Sequence, residues 1–231
     1  VTALPAFVAV AAIAAAAGWP LLAEPSSGAR LPGAIVHYHA LLRDGLATDA
    51  ERVVVFGHPT LSRDISALFA RRDVEIVVVS PTARWTDVMG TAAAVVTGVA
   101  GSRPDPVDGA WLRRWRDADA AAAAAVKPTP IQRAALALWD TAGVLLLGSS
   151  NTVRAFDAVA PGAERATRVL ANRGLAGIDG LIATGHGLAN GLGERVTVAL
   201  GDLSFVHDAG GLGRGEHEPE PDLDVVVLND H

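Results

Sequence analysis

Arg195–Ser204, RVTVALGDLS, is the stretch whose reading decides the fold. After Arg195 the run Val-Thr-Val-Ala-Leu is apolar, β-branched and free of breakers, as in a strand covered on both faces. Gly201 and Asp202 end that strand, and Leu203 and Ser204 begin a helix. The same punctuation returns at Val227-Leu228-Asn229-Asp230, so that Asp202 and Asn229 close two strands 27 positions apart. In a parallel sheet both would stand at carboxyl ends, where ligands bind. A glycine there lets the backbone approach a diphosphate. A carboxylate beside a carboxamide or second carboxylate supplies hard oxygen ligands for Mg²⁺, and the amides that open the helix can receive phosphate oxygens. Read alone, Gly-Asp at a strand end is equally an N-cap aspartate, and both readings stand at this point.

Outward from this segment, further short apolar runs read as buried strands: Arg52–Phe56, Val74–Val79, Val144–Leu147 and Leu223–Leu228. Helical patterns lie between them at Ala34–Arg43, Leu61–Ala70, Ile131–Trp139 and Asp179–Asn190. Strands alternating with helices predict an α/β fold of open, mainly parallel sheets flanked by helices. The loop Ser102–Pro106 and the helical stretch Gly109–Val126, with six consecutive alanines from Ala120, divide the chain. The expected organisation is one α/β domain over residues 1–108, a connecting helix and linker over 109–130, and a second α/β domain over 131–231. Pro130 is expected to open the helix after the linker, where its missing N–H costs nothing.

Composition narrows the classes. Half of the 231 residues are hydrophobic and only 5% are aromatic, so cores must be built from Ala, Val and Leu. The net charge of −6, with no basic cluster interleaved with aromatics, argues against nucleic acid. The absence of cysteine removes disulfides and thiolate sites and suits a cytoplasmic protein. No charge precedes Glu24, yet no basic region leads the apolar run. Pro5, Gly18 and Pro20 break it, leaving Ala6–Ala17 too short for a membrane span. It reads as a buried helix followed by a strand at Trp19–Ala23.

Three segments carry a family resemblance. Gly148-Ser149-Ser150-Asn151-Thr152-Val153-Arg154 is similar to a GxSxxxR element, Asn172-Arg173-Gly174-Leu175-Ala176-Gly177-Ile178-Asp179-Gly180 to NRGxxGIDG, and Gly201-Asp202-Leu203-Ser204-Phe205-Val206-His207-Asp208 to GDL[ST]xxxD. In order and spacing they resemble the thiamine-diphosphate-dependent 2-succinyl-5-enolpyruvyl-6-hydroxy-3-cyclohexene-1-carboxylate synthases of menaquinone biosynthesis. Weaker similarity runs through Gly18–Gly28 and Gly57–Arg63. The resemblance implies a central domain followed by part of a diphosphate-binding domain. It implies a transferase that decarboxylates 2-oxoglutarate and adds the resulting carbanion to isochorismate. In that reading Gly201, Asp202, Leu203 and Ser204 hold the cofactor. Asp202, Asn229 and Asp230 ligate Mg²⁺, or Mn²⁺ in its place, with Asp230 favoured over Asn229. Ser150, Arg154 and Arg173 orient substrate carboxylates, a task for which guanidinium forks are suited. A homodimer or homotetramer is implied, because the family's cofactor lies between subunits.

Against the family pattern, His231 stands where an asparagine is usual. The glutamate that activates the cofactor belongs to a preceding domain, so no catalytic residue is expected in this chain and turnover by the chain alone is not expected. Glu24 is not assigned that role, because it falls in a segment resembling the central domain. A pair at His37 and His39 is disfavoured as a metal site, since i and i+2 leave a helix on different faces. His58, Arg63 and Arg84 could form an anion pocket for a carboxylate effector, or be ordinary surface residues. His207 is given no chemistry, and Glu216–Asp224 reads as a solvated turn. Two alternatives are another thiamine-diphosphate decarboxylase or carboligase, and a non-catalytic α/β module whose cofactor site has decayed. A dinucleotide-binding dehydrogenase is disfavoured, since no G-x-G-x-x-G follows an early strand.

Overall fold

The computed structural model describes residues 6–85, 87–99, 109–162 and 168–229. Ser102–Pro106, Asp230 and His231 therefore lie outside the described residues. The chain divides into two compact units, Val1–Glu24 with Gly33–Val126 and Pro25–Pro32 with Lys127–His231.

The first unit opens with α1 (Ala6–Ala17), at the expected bounds. The helix is not buried all round: Ala14 and Ala17 face inward while Ala12, Ala15 and Ala16 are exposed, an arrangement that short alanine side chains tolerate. The expected strand at Trp19–Ala23 is reduced to one parallel bridge between Leu22 and Ile35. Its neighbour Pro20 has no N–H to give to a ladder. The next helix, α2 (Tyr38–Arg43), is shorter than the predicted Ala34–Arg43. The reason is competition for its first amides: Ile35 N–H donates to the Leu21 carbonyl, and Val36 and His37 N–H donate to the Asp119 carboxylate.

Beyond α2, β1 (Arg52–Phe56), β2 (Glu75–Val79) and β3 (Ala92–Val96) form a parallel sheet in the order β1-β2-β3, with α3 (Arg63–Phe69) between the first two strands. Ser62 caps α3, its hydroxyl accepting from the Asp64 and Ile65 amides. β3 has the sequence AAAVV, whose alanines carry little strand preference, and no strand was expected there. Its entry turn is built on Asp87, whose carboxylate accepts from Thr91 N–H at 3.0 Å and Ala92 N–H at 2.9 Å. Those backbone bonds, Ala92 first, outweigh burial and hold the Asp87 carboxyl below the usual range. α4 (Ala110–Ala125), expected as a plain connector, also contributes core: Leu112 and Trp115 are buried, and Trp115 packs with Ile35, Tyr38 and Leu41.

In the second unit, α5 (Pro130–Thr141) starts as Pro130 predicts, with Thr129 and Gln132 closing a capping box. There follow β4 (Val144–Leu147), α6 (Asn151–Val159), β5 (Arg168–Ala171), α7 (Leu181–Leu192), β6 (Val196–Gly201), α8 (Asp202–Asp208) and β7 (Leu223–Leu228). The four strands are parallel, in the order β5-β4-β6-β7. β4 is buried at every position and β6 at every position but its last, so the unbroken apolar runs mean what they predict for these central strands. The edge strand β7 is half-exposed along most of its length. Val144, Leu146, Val196, Val198 and Leu200 pack against Leu181 and Ile182 of α7. Each such side chain contributes about 1.5–3 kcal/mol by leaving water. Gly185 in α7 has a packing reason, because a Cβ there would collide with Val198 Cγ2.

Gly148, just past β4, lies so close to β6 that a Cβ would stand 2.9 Å from the Ala199 carbonyl oxygen and 3.0 Å from Leu200 Cα. Both obstacles are backbone, which no rotamer change can clear. Gly148→Ala is expected to destabilise the protein by about 1–3 kcal/mol, read as a lower urea midpoint at unchanged slope. A second expectation concerns pH. A carboxyl whose pKa is depressed by folding stabilises the protein above its unfolded value, about 3.9, and that stability disappears as pH falls through the folded value. Asp87→Asn should therefore lower stability at neutral pH and flatten the loss of stability below about pH 4, followed by chemical denaturation across that range.

Candidate active site at the carboxyl edge of the second sheet

Because all four strands run the same way, their carboxyl ends share one edge. Along it stand Arg173 beyond β5, Ser150 beyond β4, Gly201 and Asp202 at the end of β6, and Asn229 beyond β7. The chain turns one way from β4 to β5 and the other way from β6 to β7. The strand order therefore reverses between β4 and β6, the place where open α/β sheets leave a crevice for ligands.

The β6–β7 register pairs Gly201 with Leu228, so the residues that follow, Asp202 and Asn229, emerge side by side. Adjacent strands are about 4.8 Å apart, within reach of one ion. Asp202 is not the N-cap of α8. That position belongs to Gly201, and the Asp202 carboxylate accepts from the Leu203 amide at 2.8 Å. Asp202 is half-buried and Asn229 exposed. Ser204 is buried one step into the helix, whereas Leu203 projects into solvent. Gly201 differs from Gly148. A Cβ at 201 would meet nothing nearer than Thr152 Oγ1 at 3.8 Å, and its φ of −78° suits any residue. The protein's own packing gives no reason for glycine here.

Ser150 holds φ 65° and ψ −131°, a conformation rare outside glycine. Strain of this kind costs about 1–3 kcal/mol and concentrates at functional sites. Ser150 is the N-cap of α6, and Arg154, one turn on, donates from Nη1 to the Ser150 carbonyl at 2.8 Å. Both side chains are exposed at the edge, while Ser149 and Thr152 beside them are buried. Arg173 is half-buried in the loop after β5. That loop is tied to α7 through Asn172, whose side-chain N–H donates to Thr184 Oγ1 at 3.0 Å. The fold thus gathers Ser150, Arg154 and Arg173 on the β5–β4 half of the edge, and Gly201, Asp202 and Asn229 on the β6–β7 half.

One participant was quoted in a motif but given no task by sequence reasoning. Asp208, at the end of α8 and 6% exposed, accepts from Gly180 N–H at 3.1 Å and Ile182 N–H at 2.6 Å. It supplies the start of α7 with a carboxylate from α8, and so fixes the helix after Gly201-Asp202 against the loop carrying Arg173. Its place at the close of Gly201–Asp208 was the available signal.

Other candidates fall elsewhere. Glu24 accepts from the Thr60 and Leu61 amides. His37 Nδ1 lies 2.9 Å from Asp119 Oδ1, and His39 Nδ1 lies 2.9 Å from Ser62 Oγ, so the two rings serve different partners. Among the described residues, no cluster of three His, Cys, Asp or Glu could hold a metal. A cavity of about 140 Å³ beyond β1 and β2 is lined by His58, Thr60, Asp87 and Met89, but by neither Arg63 nor Arg84. The proposed three-residue anion pocket is not assembled there. His207 Nδ1 lies 3.7 Å from Asp179 Oδ1. In the acidic turn, Asp222 pairs with Arg195 at 2.8 Å. No described helix is long and apolar enough to cross a membrane.

Fold and edge together define the class: an α/β protein with polar residues at the strand ends beside a topological switch point. No protein-family model matches the chain. Individual relatives do. The 2-succinyl-5-enolpyruvyl-6-hydroxy-3-cyclohexene-1-carboxylate synthase of Nocardioides sp. (strain JS614) is 41% identical over 245 residues, covering 96% of this chain and 45% of that protein. The proteins of the same name from Kineococcus radiotolerans and Rhodococcus jostii are each 41% identical, covering 94% and 93% of this chain and 42% and 40% of their own lengths. The resemblance to this synthase family is thereby shown along nearly the whole chain, which spans under half the length of the curated relatives it matches.

Asp208→Ala would leave the Ile182 amide without its buried acceptor and would take from Gly180 N–H one of its two acceptors, the other being Asp179 Oδ1 at 3.0 Å. A loss of about 1–3 kcal/mol is expected, with faster amide exchange in the first turn of α7 than in β6, measured by denaturation and hydrogen exchange.

Proposed function

We infer that this chain forms part of a thiamine-diphosphate-dependent synthase of menaquinone biosynthesis, which decarboxylates 2-oxoglutarate and joins the product to isochorismate. The observation that carries the reading is the switch point, where two of the three motifs shared with the family, Gly148–Arg154 and Gly201–Asp208, meet across β4 and β6. The donor set fits the cofactor. Gly201 leaves room for a diphosphate against the backbone, and Asp202 with Asn229 offers hard oxygen ligands to Mg²⁺ or Mn²⁺. Asp230, the favoured ligand on sequence grounds, follows directly. When bound, thiamine diphosphate supplies the electron sink for decarboxylation and carbon–carbon bond formation.

The chain's own residues have the remaining tasks. Asp202 and Asn229 hold the metal and, through it, the diphosphate, with Leu203 and Ser204 continuing the cradle. Ser150, Arg154 and Arg173 face the substrates, where two arginines match the several carboxylates of 2-oxoglutarate and isochorismate. The first unit is the central domain and the second the diphosphate-binding domain. The assembly is a cytoplasmic homodimer or homotetramer.

Calorimetric titration of thiamine diphosphate with Mg²⁺ into the complete gene product tests this reading. Binding is expected for the wild type and lost in Asp202→Ala. Gly201→Ala should lose affinity while its unfolding temperature stays at the wild-type value, since the added methyl makes only ordinary contacts, the nearest with Thr152 Oγ1 at 3.8 Å. A wild type that does not bind the cofactor would overturn the assignment.

A further inference from the structure

Between two stretches of the first unit the chain spends eight residues, Pro25–Pro32, in the second. This strap packs against α6 and β5. A Cβ on Gly162 would collide with the carbonyl group of Leu31, so strap and chain meet at backbone contact. Its anchor is Arg30, 3% exposed. Arg30 Nε donates to the Ala160 carbonyl at 2.7 Å, Nη2 to the Asp157 carbonyl at 2.8 Å, and Nη1 to Asp157 Oδ1 at 3.0 Å. Asp157 is itself 1% exposed.

These contacts sit on the last turn of α6, where carbonyls lack helical partners and cations are favoured. A buried ion pair is weak evidence for stability, because well-packed apolar residues often serve as well. A fork that grips two carbonyls and a carboxylate at once does something apolar residues cannot: it fixes where the helix ends. The other end of α6 is fixed by Gly148, whose N–H donates to the Ala199 carbonyl at 2.7 Å and whose carbonyl accepts from Val153. Between the two pins lies Ser150 at φ 65°. A strained residue of this sort persists only while its surroundings over-determine it.

We propose that Arg30, through Asp157 and the end of α6, is a positioning residue that holds Ser150 and Arg154 at the height where they meet a substrate carboxylate. The inference rests on the substrate-facing role given above to those two residues. Without the Arg30 fork α6 can slide, Ser150 can relax, and Arg154 leaves its place.

The test uses the complete gene product with Arg30→Lys, which keeps the charge and loses the fork, and Arg30→Gln, which loses both the charge and the fork, should the first fail to fold. In either variant KM for 2-oxoglutarate or isochorismate should rise roughly tenfold to a hundredfold at nearly unchanged kcat. The rise should vanish in an Arg154→Ala background. Amide exchange should quicken at residues 151–154 and not in β6. An unchanged KM in a folded variant, or a rise that multiplies independently with Arg154→Ala, would overturn the proposal. If the wild type does not turn over these substrates, the functional reading fails. Exchange then still decides whether Arg30 holds α6: quickened exchange at 151–154 supports it, and unchanged exchange overturns it.

Discussion

Everything at the candidate site depends on how closely β4 lies against β6 at Gly148. That approach closes the two central strands over each other just where the strand order reverses, and it sets the starting point of α6. Ser150 takes up a left-handed conformation directly afterwards, and Arg154 binds back to its carbonyl. On the other side of the reversal, β6 and β7 end in register and present Asp202 beside Asn229. A methyl group at 148 would wedge the central strands apart, and the two halves of the edge would lose their common reference.

The second unit solves the problem of placing polar groups in a core made of small aliphatics. With few aromatics to fill space, the sheet relies on continuous Val and Leu runs and on a helix glycine that lets α7 close over Val198. The buried charges Asp208 and Arg30 accordingly spend their hydrogen bonds on helix ends, where backbone groups would otherwise be unsatisfied. Order at the edge is thus maintained from behind, by groups that a ligand at the strand ends would not touch. The two glycines at the reversal show the division of labour. One is required by the protein's own backbone, and the other leaves a space that the protein does not fill.

Much of this was legible in the sequence because its strongest signals are local. Unbroken apolar runs located β1, β4 and β7 to the residue, and Pro130 marked the start of α5. β3 escaped because three alanines do not read as a strand until a turn built on Asp87 presents them to β2. α2 was overextended because the amides that would have begun it are taken by Asp119, from more than eighty residues away. The strand ends at Asp202 and Asn229 were visible as punctuation. Strand order was not, so neither was the reversal that brings Ser150 beside Gly201. The bonds of Arg30 were invisible for the same reason: nothing near Arg30 in sequence shows that its partners are Asp157 and Ala160.

That last separation has a consequence for how the molecule is made. The strap leaves the ribosome well before α6 exists, and Arg30 waits for an aspartate 127 residues downstream. Closing so long a loop costs only slightly more entropy than closing a short one, since the cost grows with the logarithm of length. It does impose a sequence of events. The first unit can gather its strands as they emerge, but the second cannot seat its own eight-residue strap until Ala160 has been synthesised. A cut at the linear border near Lys127 would leave the first piece with all of the first unit, and the second piece without the strap that belongs to its own folded body. The dependence runs one way: the second body can be duplicated, fused or moved intact only with the residues that precede it.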